Sequence, residues 1–143
     1  MGAMPPEFDA ARAEAPPLLL AEGTSMKASG SLRPPSRRSS GFTSLHSGTL
    51  LIMPGRLLAS MRRYVLADEW PAGERTDGSV AYRIDAAGLE MIIDIARAVP
   101  GGTGQVTVQY RCPIPDSVLN AFPRRQWQGV LAAREPEKAL RRI

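Results

Sequence analysis

The chain has 143 residues, a length suited to one ordinary domain. Its hydrophobic content of 43% and charged content of 22% exclude disorder throughout, while a single cysteine (Cys112) and a single histidine (His46) exclude an intramolecular disulfide and a structural zinc site built from those ligands. The formal net charge of +4 is uneven: residues 1–22 carry a net −3, residues 23–67 carry +7 with no acid, and residues 68–143 sum to zero.

In chain order, residues 1–47 hold the paired prolines Pro5-Pro6, Pro16-Pro17 and Pro34-Pro35 and a dense series of serines. Proline pairs interrupt helix and sheet, and Ser/Gly runs offer little burial against chain entropy, so this composition predicts a disordered arm, basic from residue 23. A helix around Phe8–Ala15 would be marginal alone. Gly48–Met53 is a short apolar run suited to a buried strand. Arg56–Ala67 is rich in Leu, Ala, Met and Arg and predicts a helix, with an extended reading of Tyr64–Trp70 as competitor. Pro71–Gly78 carries turn chemistry.

Ser79–Ile84 alternates as a half-buried strand, Val80, Tyr82 and Ile84 sharing one face. Asp85 is a suitable N-cap for a helix through Val99, ended by Pro100-Gly101-Gly102. Gln105–Cys112 alternates again, with Val106, Val108, Tyr110 and Cys112 inward. Asp116 opens a short helix to Phe122. A second helix is predicted from Arg124 to Ala133 on the stripe Trp127, Val130, Leu131. The result is one globular domain over residues 48–135 and a charged tail over 136–143. Its expected class is α+β or small α/β: a two-layer sandwich of about three short strands with two to four helices behind the disordered arm, including at least one parallel pairing.

Candidate chemistry is sparse. Gly101-Gly102-Thr103-Gly104 follows a helix and precedes a strand, the reverse of a phosphate loop, and reads as a helix C-cap and turn. Asp68, Glu69, Glu74, Asp77 and Asp85 match no calcium-loop spacing and read as a solvated loop. Cys112 sits at an inward phase with no base beside it in sequence, which predicts a buried structural thiol. His46 shows no partner in the sequence. Arg37-Arg38-Ser39-Ser40 has the form of a basic-directed kinase site. No catalytic residue, metal or cofactor is expected.

The longest apolar runs, Leu18–Ala21 and Leu50–Met53, fall far short of the roughly 20 residues of a membrane helix, so no transmembrane segment is expected. The cysteine-poor composition suits the cytoplasm or another reducing compartment. A start at Met26 would expose an Arg- and Ser-rich stretch similar in composition to an organelle transit segment, which keeps organelle import open.

Arg62-Arg63 in a predicted helix, Asp77-Gly78 at a turn, Val80-Ala81-Tyr82-Arg83-Ile84 and then Ala87-Gly88-Leu89 are similar in layout to the winged-helix domain of MarR-type regulators. This resemblance spans Leu57–Ile93, about a quarter of the chain. It implies a basic helix, a loop, a wing strand and a further helix. The two helices that precede the recognition helix in that family would fall in the Pro/Ser-rich tract.

Charge logic then predicts a non-enzymatic, small nucleic-acid-associated protein. Arg33, Arg37, Arg38, Arg56, Arg62 and Arg63 are the expected phosphate contacts. Nucleic acid or another anionic surface is the expected partner. The alternative is a structural or adaptor subunit of a larger protein assembly, with the arm ordering on a protein partner.

Overall fold

The computed structural model describes residues 5–33, 42–72, 78–133 and 136–143. It opens with helix α1 (Pro6–Glu14), started by Pro6 at the first helical position, followed by strands β1 (Leu19–Arg33) and β2 (Phe42–Ile52). Then come β3 (Leu57–Met61), β4 (Tyr64–Glu69), β5 (Val80–Asp85) and β6 (Gly88–Asp94). The short helix α2 (Ile95–Ala98), β7 (Thr103–Arg111), α3 (Asp116–Ala121), β8 (Gln126–Gly129) and α4 (Pro136–Arg141) complete the chain.

The eight strands form one sheet in the order β4-β3-β2-β1-β7-β6-β5-β8, and every pairing is antiparallel. Its two edges approach each other: the Ala132 N–H, just beyond β8, donates to the Leu66 carbonyl of β4 at 3.0 Å. Beside that contact, the buried Glu69 carboxylate accepts the Val130 N–H at 3.4 Å, and Gly129 leaves it room, since a Cβ there would collide with Glu69 Oε1. The sheet is therefore a nearly closed barrel, which leaves little unpaired edge.

The expected sandwich of three strands is thus corrected, together with its parallel pairing and its disordered arm. Within the expected arm, residues 5–33 include α1 and all of β1, and β2 runs through residue 48 without a break. β1 lies in the middle of the sheet, between β2 and β7. Its pairing register with β2 shifts between Ala21 and Thr24, where Gly23 takes φ +61. A bulge with a left-handed glycine bends a strand, which a long strand needs in order to follow a barrel wall.

Period-two burial explains most strands. Met26 and Ala28 (β1), Leu50 and Ile52 (β2), Val80, Tyr82 and Ile84 (β5), Leu89, Met91 and Ile93 (β6), and Val106, Val108 and Tyr110 (β7) share one interior core. β3 is buried on both faces. Leu57, Ala59 and Met61 face the interior, whereas Leu58, with Leu51 and Met53, packs outward under Phe8 and Ala11 of α1. That double burial is why Leu57–Met61, composed of helix formers, is a strand: tertiary packing overrides propensity.

The helix expected over Arg56–Ala67 is accordingly the β3–β4 hairpin, with Met61 opposite Tyr64 and Arg62-Arg63 as its turn. The helix expected from Asp85 is a second hairpin. Ala87 N–H donates to Asp85 Oδ1 at 2.8 Å, and Gly88 follows at φ +138. β6 continues to Asp94, which caps the four-residue α2 through Ala96 N–H. The helix expected over Arg124–Ala133 contains β8, whose Trp127 stacks on Tyr82 with centroids 5.2 Å apart. The MarR-like layout is replaced by consecutive strands β3 to β6; Asp77, at its expected wing, lies outside the described residues.

The strands expected over Gly48–Met53, Ser79–Ile84 and Gln105–Cys112 correspond to β2, β5 and β7, and the short helix from Asp116 to α3. No helix is long and apolar enough to cross a membrane among the described residues. Outward positions of the central strands carry Ser25, Lys27, Ser29, Gln109 and Glu90 against the apolar interior, the inverse of a barrel whose outer surface faces lipid.

Candidate anion-binding surface

Strand direction decides which basic residues meet. β1 ends with Arg33 opposite Thr103 at the start of β7, and β2 begins at the same end. β3 runs in the same direction as β1 but turns back through Arg62-Arg63 level with Gly48 of β2 and Thr24 of β1, nine residues of strand short of Arg33. Arg37 and Arg38, between β1 and β2 in sequence, lie outside the described residues, as do Ser39 and Ser40. Of Arg33, only the backbone is described.

α4 closes this end of the barrel. Ala139 and Leu140 are buried against the interior core. Ser44 Oγ donates to the Ile143 carbonyl at 2.6 Å, and His46 Nε2 lies 3.1 Å from the same oxygen and 3.0 Å from Ser44 Oγ. His46, which shows no partner in sequence, therefore helps to hold the end of α4. The charged face of this helix brings Lys138, Arg141 and Arg142 to the basic end, three cations that charge blocks read along the sequence did not group with the others. The signal was Ala139, Leu140 and Ile143 set among charges, an apolar stripe at helical spacing.

Arg62 and Arg63 are exposed. Arg62 holds φ +55, a left-handed conformation that is uncommon outside glycine and that fixes the tight turn. The Arg63 guanidinium lies 5.5 Å from the centroid of the Tyr64 ring. Little of the Tyr64 hydroxyl oxygen is exposed, and the guanidinium groups of Arg63 and Arg142 approach it. Arg63 foremost, and Arg142 from α4, hold the Tyr64 phenol below its usual pKa, so positive potential from two separate elements converges there. The leading cause is hydrogen bonding of the phenol oxygen with Arg63, and Arg142 adds a smaller contribution of the same kind.

Arg56 is different. It lies at the opposite end of β3, roughly 16 Å away for five residues of strand. Its Nε and Nη2 donate to Asp68 Oδ1 and Oδ2 at 2.8 and 2.9 Å. Glu14 of α1 stands 3.9 Å away and the Trp70 ring 4.8 Å from the guanidinium carbon. The bidentate carboxylate raises the Arg56 pKa, and the side chain is 16% exposed. This arginine ties α1 and the β2–β3 loop to the end of β4. Arg56→Gln is expected to destabilise the protein by about 1–2 kcal/mol, read as a lower urea midpoint at unchanged slope.

The other singled-out residues have structural settings. Gly101 adopts φ +77 in the turn between α2 and β7, and Gly104, the second residue of β7, adopts φ +106. Asp68 is paired with Arg56; Glu74 and Asp77 lie outside the described residues. Cys112 is buried, and burial pushes its thiol pKa up, with Thr24 opposing in part. That shift disfavours the thiolate that a nucleophile requires. Among the described residues, no group of three His, Cys, Asp or Glu side chains converges as a metal site would require.

The barrel interior is filled by side chains. Trp127 lies between Tyr82 and Phe122, and Tyr110 and Met26 occupy the centre. Clefts on the outside are therefore the candidates for ligands. Compared with protein-family models, curated proteins and solved structures, the chain gives no match.

Proposed function

We propose that this protein associates with nucleic acid through the basic end of its barrel. The supporting observation is the approach of Arg62-Arg63 and the α4 cations, in a chain whose residues 23–67 carry seven basic and no acidic residues. The contacts are to phosphate: Arg33, Arg37, Arg38, Arg62 and Arg63, joined by Arg142. Arg56 is engaged by Asp68 and plays no part. Such contacts release counterions, so affinity falls with salt at about 0.9 logarithmic units per phosphate neutralised on duplex DNA.

The test is a salt series with the full chain and generic duplex and single-stranded oligonucleotides. The full chain is needed because β1 is a central strand. Arg62→Gln with Arg63→Gln is expected to reduce the salt slope by about two units and to weaken duplex binding at every sequence. No binding at low salt, or an unchanged slope in the double variant, would overturn the proposal. A second reading, a subunit of a larger protein assembly, draws on Trp70, 55% exposed beside the apolar Ala11, Met53 and Pro54, and on Leu45, 76% exposed. A stable protein complex that survives high salt would favour it.

A further inference from the structure

The barrel leaves one stretch of strand edge open among the described residues. β2 pairs with β1 from Phe42 onward, whereas β3 covers its other edge from Gly48 to Ile52. From Phe42 to Ser47 no described strand lies on that edge. The alternation of an antiparallel ladder decides which backbone groups point there. At the β2–β3 turn, Met53 N–H donates to the Arg56 carbonyl, while the Ile52 carbonyl accepts from Leu18 on the β1 side. Odd-numbered residues of β2 therefore turn their N–H and C=O toward the β3 side, and at Thr43 and Leu45 β3 has already ended. An open edge of this kind is a template for an added strand.

The side chains fit an added strand as well. Thr43, Leu45 and Ser47 are exposed, and Leu45 is a large apolar side chain 76% exposed. Phe42–Ser47 holds no charged residue and no proline, two devices that commonly protect an edge. On the inner face, Ser44 and His46 are engaged with the Ile143 carbonyl. A strand laid on this edge would continue the line of β3 and meet the β3–β4 turn, where Arg62 and Arg63 are exposed. Lys27 stands opposite Leu45 on β1. The occupant thus meets positive charge at one end and an apolar side chain in the middle. A second copy of this chain is a poor occupant. Paired antiparallel, its β2 would bring the sequence flank that holds Arg33, Arg37 and Arg38 toward Arg62 and Arg63.

We propose that the open edge of β2 receives an extended acidic segment of a partner protein. The segment adds antiparallel, with carboxylates at its N-terminal side against Arg62 and Arg63 and an apolar side chain beside Leu45. Hydrogen bonds to the Thr43 and Leu45 backbone supply affinity, and the charge and apolar contacts set direction and register. This gives a chemistry to the assembly reading above. It does not rest on the nucleic-acid reading, with which it shares Arg62 and Arg63.

The experiment uses the full chain and a synthetic peptide of three glutamates followed by alternating valine and threonine. Binding is read by fluorescence anisotropy over a salt series and by amide NMR. Saturable binding is expected, with slowed hydrogen exchange at the Thr43 and Leu45 amides. Methylating the peptide nitrogens that face β2 should weaken binding about tenfold or more, and methylating the alternate nitrogens should leave it within about threefold. Thr43→Pro, which removes a donor that β1 does not use, should weaken binding about tenfold. Arg62→Gln with Arg63→Gln should weaken it about tenfold at low salt, and Leu45→Ser severalfold. Arg125→Gln, away from this edge, should leave it within about twofold. Unchanged β5–β6–β7 amide signals report that each variant keeps the fold, and the methylated peptides test the edge without altering the protein. Absence of saturable binding at low salt, equal binding of a peptide with lysines in place of the glutamates, or equal loss from both methylation patterns would overturn the proposal even if duplex DNA binds. Thr43 and Leu45 amides that become protected without peptide, as a dimer grows in with protein concentration, would assign the edge to a second copy and overturn it too. Peptide protection of these amides without duplex affinity would uphold the edge site and remove the nucleic-acid reading.

Discussion

Tyr110→Ala is expected to cost about 4 kcal/mol of stability, among the largest losses from any single truncation of the interior. Tyr110 is fully buried on β7, and its side chain reaches across β1 and β2 to donate a hydrogen bond to the Ser60 carbonyl of β3 at 2.8 Å. Gly48 makes that crossing possible. A Cβ there would lie 2.7 Å from the Tyr110 ring and would collide with the Ser60 carbonyl oxygen. Gly48→Ala is therefore destabilising too, and the two substitutions are coupled, because removal of the ring relieves one of the two collisions. Tyr110→Phe keeps the ring and should cost only about 1–2 kcal/mol.

The same residue sets an alkaline limit. Burial raises the Tyr110 pKa far above the ordinary phenol value, and the folded state holds this proton after the unfolded state has lost it. A group whose pKa is raised on folding contributes fully below its unfolded pKa, about 10 for tyrosine, and loses that contribution as pH rises further. Unfolding free energy should then fall by about 1.4 kcal/mol per pH unit above pH 10. Tyr64 acts in the opposite direction: its lowered pKa adds stability as pH rises toward 10, and the gain is small because the residue is only partly withdrawn from solvent. Urea denaturation between pH 7 and 11 separates them. Tyr110→Phe should flatten the alkaline fall; a fall of unchanged slope in that variant would mean another buried group carries it.

β5 and β7 were legible because their alternation, Val80-Tyr82-Ile84 and Val106-Val108-Tyr110, has no helical rendering. Leu89-Met91-Ile93 alternates as well, yet Leu89, Ile92 and Ile93 also fit a helix, and Asp85 fits an N-cap. What decides is Gly88, where a Cβ would collide with the Tyr110 carbonyl of the neighbouring strand, a contact invisible to any local pattern. β1 was hidden by composition. Met26 and Ala28 are the fully buried hydrophobic side chains among its described residues, and the small Ser and Gly around them resemble a linker. Its stability comes from ladders on both edges, which only the assembled sheet supplies. The site followed the same logic. Arg62 and Arg63 were visible as charge, but adjacency along the chain wrongly grouped them with Arg56, one strand-length away, and left out Arg142, nearly eighty residues later in sequence.

That last residue ties the fold to the proposed chemistry, because α4 both closes the barrel and carries a cation to the seam. Leu140 is 2% exposed and its neighbour Ala139 is fully buried. Leu140→Glu removes an apolar anchor and places a carboxylate against the interior, which should cost about 3–5 kcal/mol if the fold stays whole. The cheaper response is for α4 to detach, since it is short and, besides Leu140, its apolar anchors among the described residues are Ala139 and Ile143, with the Ser44 and His46 contacts to the Ile143 carbonyl. Detachment frees those contacts and withdraws Arg142 from Tyr64. Hydrogen exchange should then accelerate in α4 first, while the β5–β6–β7 ladder stays protected. In the same variant, duplex affinity at low salt should fall, and the Tyr64 phenol pKa should move back toward its ordinary value. Leu140→Ala, which leaves a cavity without a charge, should lower stability by about 2–3 kcal/mol and keep most of the binding. If Leu140→Glu leaves both exchange in α4 and duplex affinity unchanged, α4 is neither the plug nor part of the basic surface.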